Sequence, residues 1–441
     1  MHFSSFEDAA LWMDSFIPPS SSAPGLLRSA RLERMRKLLR FLGSPEESFK
    51  AVHVAGSKGK GSTARFISAA MTAAGLKTGL YLSPHLVDYR ERFTLDGAFF
   101  PDSLLIRTAD ELASRLEHFT FSGEVYDRPS TFELYTAYAY LLFRNAGCTH
   151  AVIETGLGGR LDATNTIESM CEVITPIELE HTAVLGDTIE KIAVEKSKII
   201  KKNSLCFTSV LYPQAMQVMQ EEADRMSAQL IRLDRELVRL ETETRAEGEV
   251  CTIAFRDGYE ARLCLKMRGE VQALNAALAL LCTRRMGLYR ERLSERAVEN
   301  AVLPGRFELT SWHGIPVVLD VCHTPVSTAH TAASFASLYP DRNRTCIFAA
   351  IEGKDIEHML RKILPCFSTL IVSRPSSAKK SNSDAVYRLA LELNDKGCRI
   401  VHIPDSREAL EEAERTGGPV LIAGSFYLTS LFKELIDAEL K

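Results

Sequence analysis

Short apolar runs alternate with amphipathic stretches along most of this chain. AVHVAG (51–56), KTGLYLSP (77–84), HAVIETG (150–156), CEVITP (171–176) and SLCFTSV (204–210) read as buried strands. Helical periodicity separates most of them, as over Thr63–Ala74, where Gly75 stands as the C-terminal cap. Strands alternating with helices predict a mostly parallel α/β sheet. Residues 230–268 break the rhythm and read as several antiparallel strands inserted in the first domain. A helix, VQALNAALALLCTRRMG, follows and ends at Gly287. After Leu303-Pro304-Gly305-Arg306 the alternation restarts with runs at 315–321, 345–351, 369–375, 399–404 and 419–425. Two α/β units are expected, 1–303 and 304–441, with a cleft between them. Near the start, Pro18–Gly25 reads as a loop and 26–42 as a basic amphipathic helix.

Composition narrows the class. Of the 441 residues, 46% are apolar and 25% charged, and the net charge is −4. Those values describe an ordinary globular chain and give no electrostatic case for a nucleic-acid partner. No apolar run is long enough to span a membrane, and MHFSSFEDAALWMD does not read as a signal peptide. The ten cysteines never lie closer than 13 residues apart, which excludes C-x-x-C spacing and suits small reduced hydrophobes in a cytoplasm.

The sharpest local signal is Gly56-Ser57-Lys58-Gly59-Lys60-Gly61-Ser62-Thr63, between a strand and a helix. Its glycines let backbone amides turn toward an anion, and the helix start adds partial positive charge. Lys60 can reach the outer phosphates of a nucleotide, and the hydroxyl of Ser62 or Thr63 suits Mg²⁺ or phosphate. Glu154 ends a strand and points toward the ligand crevice of such a sheet. His181 is an open case, since Mg²⁺ prefers oxygen. Asp187 and Glu190 read as a capping box. In the helix they start, Lys196 falls inside the stripe Ile189, Ile192, Ala193, Ile199, Ile200. It either loses its charge or is modified there, or snorkels to the surface. Asp320 and His323 end a strand of the second unit and face the cleft; Arg306, Lys354 and Asp355 are weaker candidates.

Taken together, these motifs resemble the folylpolyglutamate synthase/dihydrofolate synthase family, a branch of the Mur-type ATP-dependent amide ligases. The resemblance runs from about residue 26 to the C-terminus. It rests on His53 through Thr63, on Leu82-Ser83-Pro84-His85-Leu86 with Glu91-Arg92-Phe93, on the run Glu154–Asn165, and on His181 through Asp187-Thr188 with Glu195-Lys196. It implies a P-loop ATPase-type domain with a small antiparallel insertion and a Rossmann-like C-terminal domain. It implies ATP and two Mg²⁺, with Gly56–Thr63, Asn275, Arg306 and Asp320 on the nucleotide. Ser83, Glu154 and His181 would bind metal, Lys196 would be carbamylated, and Lys60, Lys196 and His323 would serve the chemistry. Arg31, Leu32, Glu33, Arg34, Phe132, Ala163, Thr164 and Asn165 would line a pteridine pocket. The implied partners are small molecules, folate or dihydropteroate and L-glutamate, for a monomer that needs neither nucleic acid nor membrane.

Six positions depart from the family pattern. Asp320-Val321-Cys322-His323-Thr324-Pro325 replaces D-G-A-H-N-P, Lys58 stands for Asn, Glu270 for a basic residue and Arg31 for glycine. Two other readings stay open: a Mur-type ligase for a cell-wall precursor, and a nucleotide-binding homologue without turnover.

Overall fold

The structure is a computed structural model, which describes residues 2–16, 31–119, 128–341, 343–375 and 380–440. The loop expected at Pro18–Gly25 and the first residues of the helix expected over 26–42 lie outside the described residues; that helix is seen as Arg31–Phe41.

The first sheet holds β1 (Lys50–Ala55), β2 (Thr78–Tyr81), β3 (Phe93–Leu95), β4 (Ala98–Phe99), β5 (His150–Glu154), β6 (Ser169–Ile174), β7 (Leu205–Thr208) and β8 (Gln229–Arg232). Their order is β4-β3-β2-β5-β1-β6-β7-β8. The six strands from β2 to β8 are parallel, and the β3–β4 hairpin adds an antiparallel edge. Such buried parallel strands read as continuous apolar runs because helices cover both faces. Residues 229–232 differ from the expectation: they extend the parallel sheet, and the antiparallel unit begins only at β9 (Leu237–Thr244), followed by β10 (Glu249–Phe255) and β11 (Glu260–Leu265).

Helix Lys60–Ala73 starts three residues earlier than its apolar periodicity indicates, because Gly59, at φ +81°, turns the chain directly into it. Its Phe66, Ile67, Ala70 and Met71 share one core with Leu278 and Leu281 of helix Glu270–Arg285 and with Cys251 and Ile253 of β10. That packing, with burial worth roughly 1.5–3 kcal/mol per large apolar side chain, holds helix Lys60–Ala73 in place.

The last sheet contains β12 (Glu308–Trp312), β13 (Ile315–Leu319), β14 (Thr345–Phe348), β15 (Thr369–Val372), β16 (Arg399–His402) and β17 (Val420–Ala423), in the order β12-β13-β17-β14-β15-β16. All but β12 run parallel. The β12–β13 hairpin turns through His313 and Gly314, both at positive φ, as a two-residue turn between twisted strands requires. All ten cysteines are free. Among the described residues no helix is long and apolar enough to cross a membrane.

Candidate active site at the carboxyl ends of the strands

The Gly56–Thr63 loop leaves the carboxyl end of β1, between β5 and β6. Gly56 must be glycine: a Cβ there would meet Thr175 Oγ1 at 1.8 Å, and its φ is +146°. At Gly59 a Cβ would lie 2.5 Å from Asn275 Oδ1. The amides of Ser57 and Lys58 do not turn toward an anion, as the glycine pattern alone had suggested. Both donate to the Pro176 carbonyl, at 2.8 and 3.3 Å, and pin the loop to the end of β6. The first closed helical turn is Thr63 N to Gly59 O, so the amides of Lys60, Gly61 and Ser62 sit at the helix start without an intrahelical acceptor. Ser62 borders the cleft, whereas the Thr63 hydroxyl is buried without a hydrogen-bond partner.

Beside this loop, Glu154 Oε2 accepts the amide of Ser83 at 3.0 Å. Burial raises the Glu154 pKa, and Lys60 is the largest influence opposing that rise. A buried carboxylate beside a serine hydroxyl is a hard-oxygen donor set, which suits Mg²⁺. Among the described residues no three His, Cys, Asp or Glu side chains form a metal cluster, so phosphate and water oxygens would complete any such shell. His181 heads the short helix Thr182–Leu185 at φ +47°, and partial desolvation of its ring lowers its pKa.

Lys196 does not snorkel. It is 1% exposed, and its ammonium donates to Gly56 O at 2.6 Å and Glu180 Oε1 at 2.9 Å. Burial brings its pKa down to about 8. Its helix, Ile189–Ser197, is capped by Thr188 rather than Asp187, which pairs with Lys191 at 2.7 Å instead.

The second unit closes the cleft. A cavity of about 290 Å³ is bounded by Lys58, Gly59 and Ser62 on one side and by Arg306, Asp320 and His323 on the other, with Asn275 and Glu270 at its wall. Asp320 accepts the amides of Phe307 at 2.9 Å and Cys322 at 2.8 Å, fixing both loops that face the cavity. His323 Nδ1 faces Val321 O at 3.0 Å and so carries the proton, which leaves Nε2 to accept from Lys58 Nζ at 3.4 Å. Thr324, at a position where the family carries Asn, caps helix Pro325–Leu338 through Ser327, as Asn also could. Asp355 caps helix Ile356–Ile363 and bonds the His358 ring.

The residues expected to hold a pteridine divide in two. Arg31 and Leu32 are half-buried at the helix start and Glu33 is exposed. Phe132 lies against Gly156, where a Cβ would meet its ring at 2.4 Å, and stacks with Tyr81. Arg34, however, is buried in a two-pronged pair with Glu133, with Nη2 2.8 Å from each oxygen. Ala163 is buried, and Thr164 and Asn165 are engaged internally. Thr164 donates to Asp162 at 2.6 Å and accepts from His53 Nε2 at 2.8 Å; Asn165 donates to the Arg160 and Lys198 carbonyls.

Sequence reasoning missed Glu180 as the partner of Lys196, although it stood one residue before His181. Glu91, quoted there only as part of a motif, has a role that the sequence did not give: its carboxylate gathers the amides of Leu86, Val87 and Asp88 at 2.6–3.0 Å and so shapes the segment that carries Ser83. A second cavity, about 240 Å³, lies across the phosphate-loop helix from the first and reaches Ser83 and Glu154.

Known proteins share this fold. Residues 305–426 match the family described as Mur ligase, glutamate ligase domain. The dihydrofolate synthase/folylpolyglutamate synthase of Bacillus subtilis is 30% identical over 435 residues, which cover 97% of this chain and 98% of that protein. The structure of Mycobacterium tuberculosis folylpolyglutamate synthase complexed with ADP superposes with a TM-score of 0.86 at 27% identity, covering 98% of this chain and 99% of that one. Escherichia coli FolC in complex with DHPP and ADP gives a TM-score of 0.82 at 25% identity, covering 99% of each. With a nucleotide-type loop facing a two-domain cleft and likeness along nearly its whole length, the chain belongs to the dihydrofolate synthase/folylpolyglutamate synthase family of ATP-dependent amide ligases.

Proposed function

We propose that this chain joins L-glutamate to dihydropteroate, to the γ-carboxylate of a folate, or to both, by way of an acyl phosphate. The observation that carries this reading is the buried Lys196 at the carbonyl of Gly56, next to a phosphate-type loop and Glu154. A carboxylate is a poor electrophile. ATP converts it: the carboxylate oxygen attacks the γ-phosphorus, ADP leaves, and the glutamate amine then displaces phosphate from the acyl carbon. Lys60 and the amides of Lys60, Gly61 and Ser62 hold the phosphates and the charge that develops on them. The nucleoside lies in the cavity between Asn275 and Asp320, with Arg306 turned toward the phosphates. Neutral His323 orients the second domain through Lys58. The two units, 1–303 and 304–441, close on each other and exclude the water that would destroy an acyl phosphate.

Ser83 and Glu154 would hold one Mg²⁺, with His181 and a carbamylated Lys196 at a second; bound there, the ions spread the negative charge of the phosphates. Carbamylation replaces the Lys196 ammonium with an anionic oxygen donor, and a pKa of about 8 leaves enough neutral amine for it. Arg31, Phe132 and the Ala163–Asn165 turn border the pteridine, Arg34 acting on the pocket through Glu133.

Glutamate-dependent ADP release, measured with dihydropteroate and then with tetrahydrofolate, tests the reading. Release with either supports it and identifies the substrate. Release with neither, but with a UDP-sugar peptide precursor, assigns a cell-wall ligase instead; nucleotide binding without release under any of these conditions assigns a homologue without turnover.

A further inference from the structure

Helix Phe426–Glu439 of the second unit reaches the joint between the two units from its first two turns. Thr429 Oγ1 lies 3.0 Å from the carbonyls of Asp320 and Ser425. Lys433 pairs with Glu308 Oε1 at 2.8 Å, and Glu308 Oε2 accepts the amide of Gly305 at 2.8 Å. Between these contacts, half-buried Ser430 donates from Oγ to the carbonyl of Leu86 at 2.6 Å, across 344 positions of the chain. The hydroxyl has one proton, and its other acceptor, Glu434 Oε1, stands farther off at 3.5 Å. Positions three and four apart on a helix are neighbours, so Thr429, Ser430 and Lys433 share one face.

Leu86 is a point where the two units meet. Its amide is held by Glu91 of the first unit at 2.6 Å and its carbonyl by Ser430 of the second. Its side chain packs at Gly305, where a Cβ would lie 2.9 Å from Leu86 Cδ2 and 2.8 Å from Val321 Cγ1, at a φ of +66°. Ser83 stands three residues before it, with its own amide on Glu154. Segment 83–88 therefore carries a candidate metal ligand at one end and a bond to the second unit toward the other. The Ser430–Leu86 bond exists only while the units are together, so it stabilises their closed arrangement and one conformation of that segment jointly.

We propose that Ser430 is a positioning residue for the ligation: its hydrogen bond to the Leu86 carbonyl transmits closure of the second unit to the segment that presents Ser83. This rests on the ligase reading. Ser430 lines neither cavity. It reaches the chemistry through the backbone of Leu86, so its effect belongs in turnover rather than in nucleotide affinity.

Hydrogen–deuterium exchange and steady-state kinetics on Ser430→Ala test the assignment. The amides of Leu86, Val87 and Asp88 should exchange about 2- to 10-fold faster in the variant, and kcat with every substrate saturating should fall by a similar factor, the worth of one neutral hydrogen bond. The KM for ATP should be unchanged. Ser430→Thr, which keeps the donor, should retain most of both properties. A serine with a structural role alone would loosen helix Phe426–Glu439 and leave kcat and segment 83–88 as they were. That result overturns the assignment, as does a change in only one of the two readouts, or a rise in the KM for ATP as large as the fall in kcat. If Ser430→Ala does not fold, Ser430→Cys, close in volume but a weak donor, decides on the same readouts. Absence of glutamate-dependent turnover in the unmutated protein overturns the ligase reading itself, an outcome separate from these.

Discussion

Lys58 Nζ and His323 Nε2 lie 3.4 Å apart although 265 positions separate them in the chain. One belongs to the phosphate loop and the other to the end of a strand in the second sheet, so the contact spans the cleft. Burial, reinforced by the Lys58 charge, takes the His323 pKa down to about 3, so the ring is a neutral acceptor throughout the physiological range. Replacing either residue by alanine should raise the KM for ATP, and the double variant should be no worse than the poorer single one. A double-mutant cycle measures this; fully additive effects would show that the two side chains do not act together.

The phosphate loop gives a sharper contrast. Lys60→Ala should abolish ADP release while leaving the thermal midpoint nearly unchanged, because the side chain is partly exposed at the helix start. Gly59→Ala should lose nucleotide binding through geometry alone, its new methyl falling 2.5 Å from Asn275 Oδ1 at a φ of +81°. Titration with a fluorescent ATP analogue separates both from the unmutated protein.

For Lys196 the expectation concerns pH. A carbamate forms from the neutral amine, whose fraction grows as pH rises through about 8. In bicarbonate buffer the adduct should therefore increase from pH 6.5 to pH 8.5 by intact mass. Lys196→Arg, which stays cationic, should carry none and should be inactive. Full activity with a bare lysine would remove Lys196 from the chemistry.

The Arg34–Glu133 pair should behave as structure before it behaves as binding. Both side chains are buried, so removing either one breaks a desolvated ion pair. Arg34→Met or Glu133→Leu alone should cost roughly 3–5 kcal/mol in chemical denaturation, and the double apolar replacement much less.

Burial raises the pKa of Glu172 to about 7, with the hydroxyls of Ser169 and Ser204 bonded to its two oxygens. In the unfolded chain its pKa is near 4.5. Between those values the folded state holds a proton that the unfolded state lacks, so this group's contribution to stability falls as pH rises from about 4.5 and is gone above about 7. Glu172→Gln should flatten that loss, gaining up to roughly 3 kcal/mol relative to the unmutated protein at pH 8 but little at pH 5. Thermal melts at both pH values give the comparison.

What could be read from residues alone was whatever depends on local order. The β1–loop–helix unit declared itself because apolar run, glycines and helical period are adjacent, and Lys196 stood out because its stripe is local. Glu180 and Lys196 are 16 residues apart, and nothing periodic connects a loop acid to a helical lysine. Arg34 and Glu133 are 99 apart, so an arginine that looked available to a substrate was already engaged. The β12–β13 hairpin was hidden because its first strand, Glu308–Trp312, mixes polar and apolar residues beside the domain break. The role of Gly56 became visible only with Thr175 of the neighbouring strand set against it.

Arg306 lines both cavities. Visitors to the two chambers must therefore negotiate over a single guanidinium, and the grip that either one enjoys becomes a function of who occupies the room next door. Thermodynamic reciprocity makes that influence mutual, whichever guest arrives first.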